Sequence, residues 1–242
     1  MAKSGPKIDI EIPPFETQQL REQLALFLDK AVDDPNAGVK RALGNFKWGV
    51  YAFYDYDGEP IYIGQTNELL RTRIRRHLTD QRTDAVAMSV LDPFEVCEIE
   101  VWPLPQFQNT ASGDREAKSL LNALEHRVFS NAVEESKFKA VLNEKDPPEP
   151  ERRVKLPRSH RGTIVSEEVM KLRAHPDLRI ARRALIISRL AQVVSERKVQ
   201  GGLRRVLVVQ AKRLAWLAED RFASLGGEKT VEVEGSDDEG EA

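Results

Sequence analysis

Residues 48–63 leave the chain little choice of local structure. Trp48 to Tyr54 is rich in aromatic and β-branched residues, Asp55-Tyr56-Asp57-Gly58 is a turn sequence, and Ile61-Tyr62-Ile63 is a second apolar run. Two such runs around a glycine-bearing turn form a β-hairpin. Around the hairpin the apolar period lengthens. Leu20, Leu24, Phe27 and Leu28 fall at helical spacing and predict an amphipathic helix over about 16–33, stopped by Asp33-Asp34-Pro35; a looser stretch then leads to Phe46. Residues 67–82 and 114–130 predict two further helices. Phe94 to Trp102 predicts a third strand with Cys97, Ile99 and Val101 on one face.

Asp146-Pro147-Pro148-Glu149-Pro150 interrupts this alternation, because consecutive prolines fit neither a helix interior nor a central strand. Beyond it, Ser166 caps a short helix, and residues 177–197 and 203–222 predict two longer helices parted by Gly201-Gly202. The expected fold class is α+β, with a small antiparallel sheet flanked by helices and a C-terminal helical unit. The chain divides into a helix and lead-in (1–45), an α+β unit (46–145), a Pro-rich basic linker (146–162), a basic helical unit (163–225) and an acidic, disordered tail (226–242).

Charge matters through its distribution. The 242 residues carry 37 Lys plus Arg against 39 Asp plus Glu, a net −2 that argues against a polyanionic partner. Counted by segment, residues 1–150 sum to −7, residues 151–222 to +11 and residues 223–242 to −6. A +11 block beside an acidic tail is the asymmetry of a polyanion-binding protein. No apolar run approaches the length of a membrane span, and residues 1–30 hold no signal-peptide core, so a soluble, cytoplasmic protein without a membrane partner is expected. With Cys97 as the single cysteine, the chain can build neither a disulfide framework nor a cysteine-rich zinc site.

Chemistry concentrates around the hairpin. In the helix after Gly64, Arg73 and His77 share a stripe with Leu70, Ile74 and Leu78, at i, i+3, i+4, i+7 and i+8. Basic groups on a core-facing edge need an anion or a paired carboxylate. Glu125 sits among Leu121, Leu124 and Val128 on the buried face of a later helix, where an ionised carboxylate must be paired or bind a cation. Taken singly, the tyrosines read as sheet packing and Arg73 with Glu125 as a buried ion pair.

Gly49-Val50-Tyr51 and Tyr62-Ile63-Gly64, followed by Arg73, His77, Glu125 and Asn143 in that order, resemble the GIY-YIG nuclease family over about residues 46–145. Val50 stands where the family's name has isoleucine. The resemblance implies a three-stranded antiparallel sheet flanked by helices, and metal-dependent hydrolysis of a DNA phosphodiester. It implies that Glu125 is the one protein ligand of a divalent metal, Mg²⁺ before Mn²⁺, since Mg²⁺ keeps several waters and completes its shell with phosphate. Arg73 would hold the scissile phosphate; it is preferred to Arg71 because it shares a face with His77. A tyrosine, Tyr51 with Tyr62 as the alternative, would act as general base, and His77 would relay the proton. Gly49 and Gly64 would be structural, and Asn143 would position Glu125 or brace the end of the unit.

DNA targeting in such a protein is expected from attached basic elements. The candidates are Arg71, Arg75 and Arg76 beside the site, Arg152, Arg153, Arg158 and Arg161 on an extended arm, and Arg182, Arg183, Arg204 and Arg205 on the two long helices. The long helices suit DNA contact or dimerisation, and a homodimer is the natural way for one site per chain to cut both strands. A restriction or phage-defence nuclease is expected ahead of a repair or mobile-element nuclease. A non-catalytic DNA-binding or assembly protein on the same fold is the rival from another class.

Overall fold

The computed structural model describes residues 15–79, 90–196, 198–199 and 201–228. Expectations that fall on residues 80–82, on the chain before Phe15 and on the acidic segment beyond residue 228 lie outside them.

The sheet is built on β3 (Gly49–Tyr54), which is buried at every position because helices cover both its faces. The hairpin partner β4 (Pro60–Thr66) and β5 (Glu98–Pro103) flank it antiparallel, with Tyr51 opposite Gly64 and Phe53 opposite Tyr62. Strand alternation sends Tyr51, Phe53, Ile99 and Val101 to one core, which Ile61 joins at a bulge in the β3–β4 pairing and which is shared with α1 (Phe15–Asp29) and α2 (Leu70–Leu78). Val50, Ala52, Tyr54, Ile63 and Trp102 face the other core, against α3 (Arg115–Glu135). Asp114 opens α3, its carboxylate accepting the Ala117 N–H at 2.8 Å.

The sheet has four strands rather than three. His160–Thr163 forms β6 at the end of the expected linker and pairs antiparallel with β5. His-Arg-Gly-Thr carries no apolar alternation, so tertiary contacts make it a strand. Arg161 bonds Glu98 at 2.6 Å and covers the Tyr54 ring at 3.8 Å, and a Cβ at Gly162 would come within 3.0 Å of the Phe27 ring. The third strand also begins later than expected, because Asp92 accepts the Phe94 N–H and turns 93–95 into a 3₁₀ turn. The first helix ends at Asp29. Residues after it form a small hairpin of β1 (Ala31–Asp34) and β2 (Val39–Ala42), where a looser stretch was expected. Asp34 accepts from Arg41 at 2.8 Å and Gly38 takes a φ of 67° in the turn.

The C-terminal helices α4 (Glu167–Arg173), α5 (Pro176–Glu196) and α6 (Gly201–Ser224) join the core of the sheet. Leu190, Leu203, Val206 and Val209 pack into one cluster with Tyr51, Phe53 and Ile61. Gly201 begins α6 instead of parting two helices, and Gly202 lets α6 touch the chain elsewhere, since a Cβ there would overlap the Glu144 carbonyl.

This docking consumes much of the positive charge. Asp55, in the β3–β4 turn, accepts from Arg183 at 2.8 Å and from Arg213, while Arg183 also bonds Glu95 at 3.0 Å. Asp55, Arg183 and Arg213 are each 2% exposed or less. Arg179 pairs with Asp57, and Arg182 with Glu16 and Asp92. Arg183 therefore faces the inside of the protein and is unable to contact DNA, a correction to the charge pattern read on α5. Asp55→Asn is expected to destabilise the fold by about 3 kcal/mol or more in urea unfolding, because Arg213 stays buried without a counter-charge and Arg183 keeps only Glu95. Glu98→Gln, which removes a surface partner from Arg161, should change stability by less than about 1 kcal/mol.

Candidate active site

The hairpin places Tyr51 and Tyr62 on one face of the sheet, because Tyr62 lies opposite Phe53, two residues along β3 from Tyr51. Helix α2 lays His77 on that face. The ring centroids lie 6.4 Å apart for Tyr51 and Tyr62, 5.8 Å for Tyr51 and His77, and 5.2 Å for Tyr62 and His77, with Phe53 beneath at 5.7 Å from Tyr62. Tyr51 and His77 are buried and Tyr62 and Arg73 half-buried. Three of the residues picked from the sequence thus meet in one aromatic cluster.

Gly64 decides where the Tyr51 hydroxyl goes. A Cβ at residue 64 would overlap Tyr51 Oη and lie 2.5 Å from Cζ, so only glycine lets the phenol cross β4. Gly49 has a similar role, since a Cβ there would sit 2.7 Å from the Trp102 carbonyl. At both positions the space a side chain would need is already filled.

Strand β4 is the sheet edge, with α2 on one side and α3 on the other. Arg73 on α2 and Glu125 on α3 act on one another across that edge. Burial pushes the Glu125 carboxyl up to about 7, and the Arg73 charge works against that rise. Burial, followed by the neighbouring Tyr62, holds the Tyr51 hydroxyl well above the ordinary tyrosine range, while Arg73 pulls it down. Tyr51 Oη and Arg73 Nε are shut away from solvent; the two side chains act on one another, yet neither atom has a well-aligned hydrogen bond among the described residues. Polar groups left incomplete inside a cluster are what a bound ligand completes.

Asn143 does not reach toward Glu125. Its Oδ1 accepts the Ile63 N–H at 3.0 Å and its Nδ2 donates to the Ile63 carbonyl at 2.7 Å, while Leu142 N–H bonds the Ile61 carbonyl at 2.8 Å. It thus closes the open edge of β4, and of the two roles considered the geometry matches the brace. Arg205 in turn donates to the Asn143 carbonyl at 3.1 Å, tying α6 to the edge strand.

The arginines named for DNA separate into two groups. Arg71 bonds Asp29 and Asn45, Arg76 is bidentate to Glu68, Arg161 bonds Glu98 and Arg205 bonds Asp146. Arg75, Arg152, Arg153, Arg158 and Arg204 are exposed and form no ion pair among the described residues. Sequence reasoning passed over Asp55, whose turn position concealed its burial. It also passed over the Gln65–Asn122 bond of 3.0 Å and Lys118, although Lys118, Leu121, Asn122 and Glu125 follow a helical stripe.

Two outcomes are expected. Gly64→Ala should lower stability by about 2 kcal/mol or more in urea unfolding and shift the Tyr51 ring, since the clash lies against a packed side chain. Because the Glu125 carboxyl titrates higher in the folded protein than its ordinary 4.5, the folded state binds the extra proton between 4.5 and about 7. Its contribution is therefore present at low pH and lost as pH rises through about 7, on the order of 2 kcal/mol. Thermal or urea unfolding in EDTA should show that loss in the native protein and not in Glu125→Gln.

A model of the GIY-YIG catalytic domain matches residues 47–116, a span that contains the hairpin, Arg73 and His77 and ends before Glu125 and Asn143. Comparisons with curated proteins and with solved structures returned no match. The matched span holds the glycine-gated tyrosine cluster just described, and in this part the chain is similar to the GIY-YIG catalytic domain.

Proposed function

We propose that the protein is a metal-dependent DNA endonuclease that hydrolyses phosphodiester bonds at the edge of β4. The observation that carries this reading is the meeting of Tyr51, Tyr62 and His77 in one cluster, with the charges of Arg73 and Glu125 both acting on Tyr51.

The residues suit a hard cation with a wet coordination shell. Glu125 makes no ion pair among the described residues, and those residues contain no group of three His, Cys, Asp or Glu side chains able to enclose a metal. One carboxylate beside a cleft matches Mg²⁺, or Mn²⁺ in its place, with water and phosphate oxygens as the remaining ligands. When bound, the cation would supply positive charge at the phosphate and acidify a water.

The chain's own groups do the rest in this reading. Arg73 holds the scissile phosphate from the wall of the cleft beside β4 and meets its growing charge. Tyr51 stays protonated at neutral pH, so its Oη takes a proton from the attacking water only as it passes its own on. His77 and Tyr62 are the ring neighbours able to receive it. Tyr62, less buried, is the alternative first acceptor. Exposed Arg75, Arg152, Arg153, Arg158 and Arg204 supply phosphate contacts. A restriction or phage-defence role is the finer reading, supported by basic helices that share the core of the catalytic unit. A homodimer would give it two-strand cutting.

Supercoiled plasmid incubated with the protein and Mg²⁺ should be nicked or linearised. Glu125→Ala should lower the rate about 10³-fold and Tyr51→Phe about 10²-fold. Intact plasmid with the native protein, or equal cutting by all three, would remove the catalytic assignment in favour of a DNA-binding scaffold. Sequenced cut ends then separate a restriction enzyme from a structure-specific one.

A further inference from the structure

Arg73 stands at the rim of a cleft of about 350 Å³, the rest of which nothing in the reaction so far uses. It runs over the end of β4, between α2 and α3, and its walls include Gln65, Glu68, Arg73, Lys118 and Asn122. Lys118, Asn122 and Glu125 stand on one stripe of α3 at i, i+4 and i+7. The wall therefore continues along the helix from the carboxylate, and Lys118 lies about 10 Å of helix rise from Glu125.

Each charge on the cleft can be accounted for. Glu68 is the one carboxylate among its lining residues, and Arg76 neutralises it through bonds of 2.8 and 3.1 Å. Lys118 is exposed and its ammonium makes no ion pair or hydrogen bond among the described residues. Asn122 has its Oδ1 occupied by Gln65 Nε2 at 3.0 Å, which leaves its amide nitrogen as the end available to an acceptor. A groove with a held cation at Arg73, a second cation two helical turns along, and an amide donor between them suits a chain of phosphates.

We propose that this cleft is a second phosphate subsite, which takes a backbone phosphate flanking the scissile one, with Lys118 as its charge and Asn122 as its hydrogen-bond donor. The proposal rests on the nuclease reading above and adds a positioning role to it. Arg73 grips the phosphate that is cut, and Lys118 fixes the direction in which the strand leaves.

The test uses the full chain, a random-sequence duplex and a Glu125→Ala background that blocks cutting. In a salt titration of DNA affinity, Lys118→Met should weaken binding about 3- to 10-fold and reduce the slope of log Kd against log salt by about 1. Lys118→Arg should restore both, and Arg127→Met, an exposed site on the opposite side of α3, should change neither. In the cutting-competent protein, Lys118→Met should raise KM several-fold with kcat within twofold. A neutral methylphosphonate at one phosphate beside the cut should slow the native protein about 10-fold and Lys118→Met by less than twofold. If the native protein cuts plasmid but Lys118→Met matches it in slope, affinity and methylphosphonate response, the subsite is overturned and the nuclease reading stands. If the Glu125→Ala protein binds no duplex and the native chain cuts none, both fall together.

Discussion

A single buried carboxylate holds this molecule's two halves in register. Asp55 Oδ1 accepts the Asp57 and Glu59 N–H groups and shapes the β3–β4 turn, while Oδ2 receives Arg183 and Arg213 from the two long helices. Taking these charges out of water costs several kcal/mol each, and that cost is offset only because each finds its partner in one geometry. The hairpin that carries both tyrosines is thus fixed at its turn by helices more than a hundred residues away. At its other end, Asn143 closes the β4 edge and Arg205 binds the Asn143 carbonyl.

Holding the edge strand from both ends has a chemical consequence. Gly64 must stay open for the Tyr51 hydroxyl to cross β4, and a strand free to slip would close that gap. The clamp keeps two groups incomplete, Tyr51 Oη and Arg73 Nε, in a place shielded from water. Unsatisfied polar atoms are costly in an ordinary core and useful where a substrate is to supply the missing partner. The burial that raises Glu125 to about 7 belongs to the same arrangement, since a carboxylate half withdrawn from water gains most from an added cation.

Much of the site could be seen in the sequence because its signals are local. Tyr51 and Tyr62 are ordered by a hairpin whose turn is unambiguous, and the Arg73–His77 spacing is one helical turn. The charge of the C-terminal helices was less legible. The +11 segment reads as a basic arm and a DNA-facing helix pair, whereas Arg173, Arg179, Arg183 and Arg213 are each 5% exposed or less. Charge counting cannot tell a solvated arginine from one aimed at a carboxylate, because the partners Glu16, Asp55, Asp57 and Glu95 stand more than eighty residues away. Strand β6 escaped notice for a related reason. Its four residues have no apolar rhythm, and only the open edge of β5 makes them a strand.

What could be read from the sequence alone are the elements whose causes lie within a few residues: the hairpin, the α2 stripe and the start of α3 at Asp114. The tertiary structure decided what those elements face. It turned much of a basic segment inward to neutralise acids of the hairpin and the 3₁₀ turn, made Asn143 a brace for Ile63, and opened the cleft from Arg73 to Lys118. Backbone preference and periodicity act at short range and are written locally. Charge pairing and burial depend on which distant residues arrive together, and only the folded chain settles that.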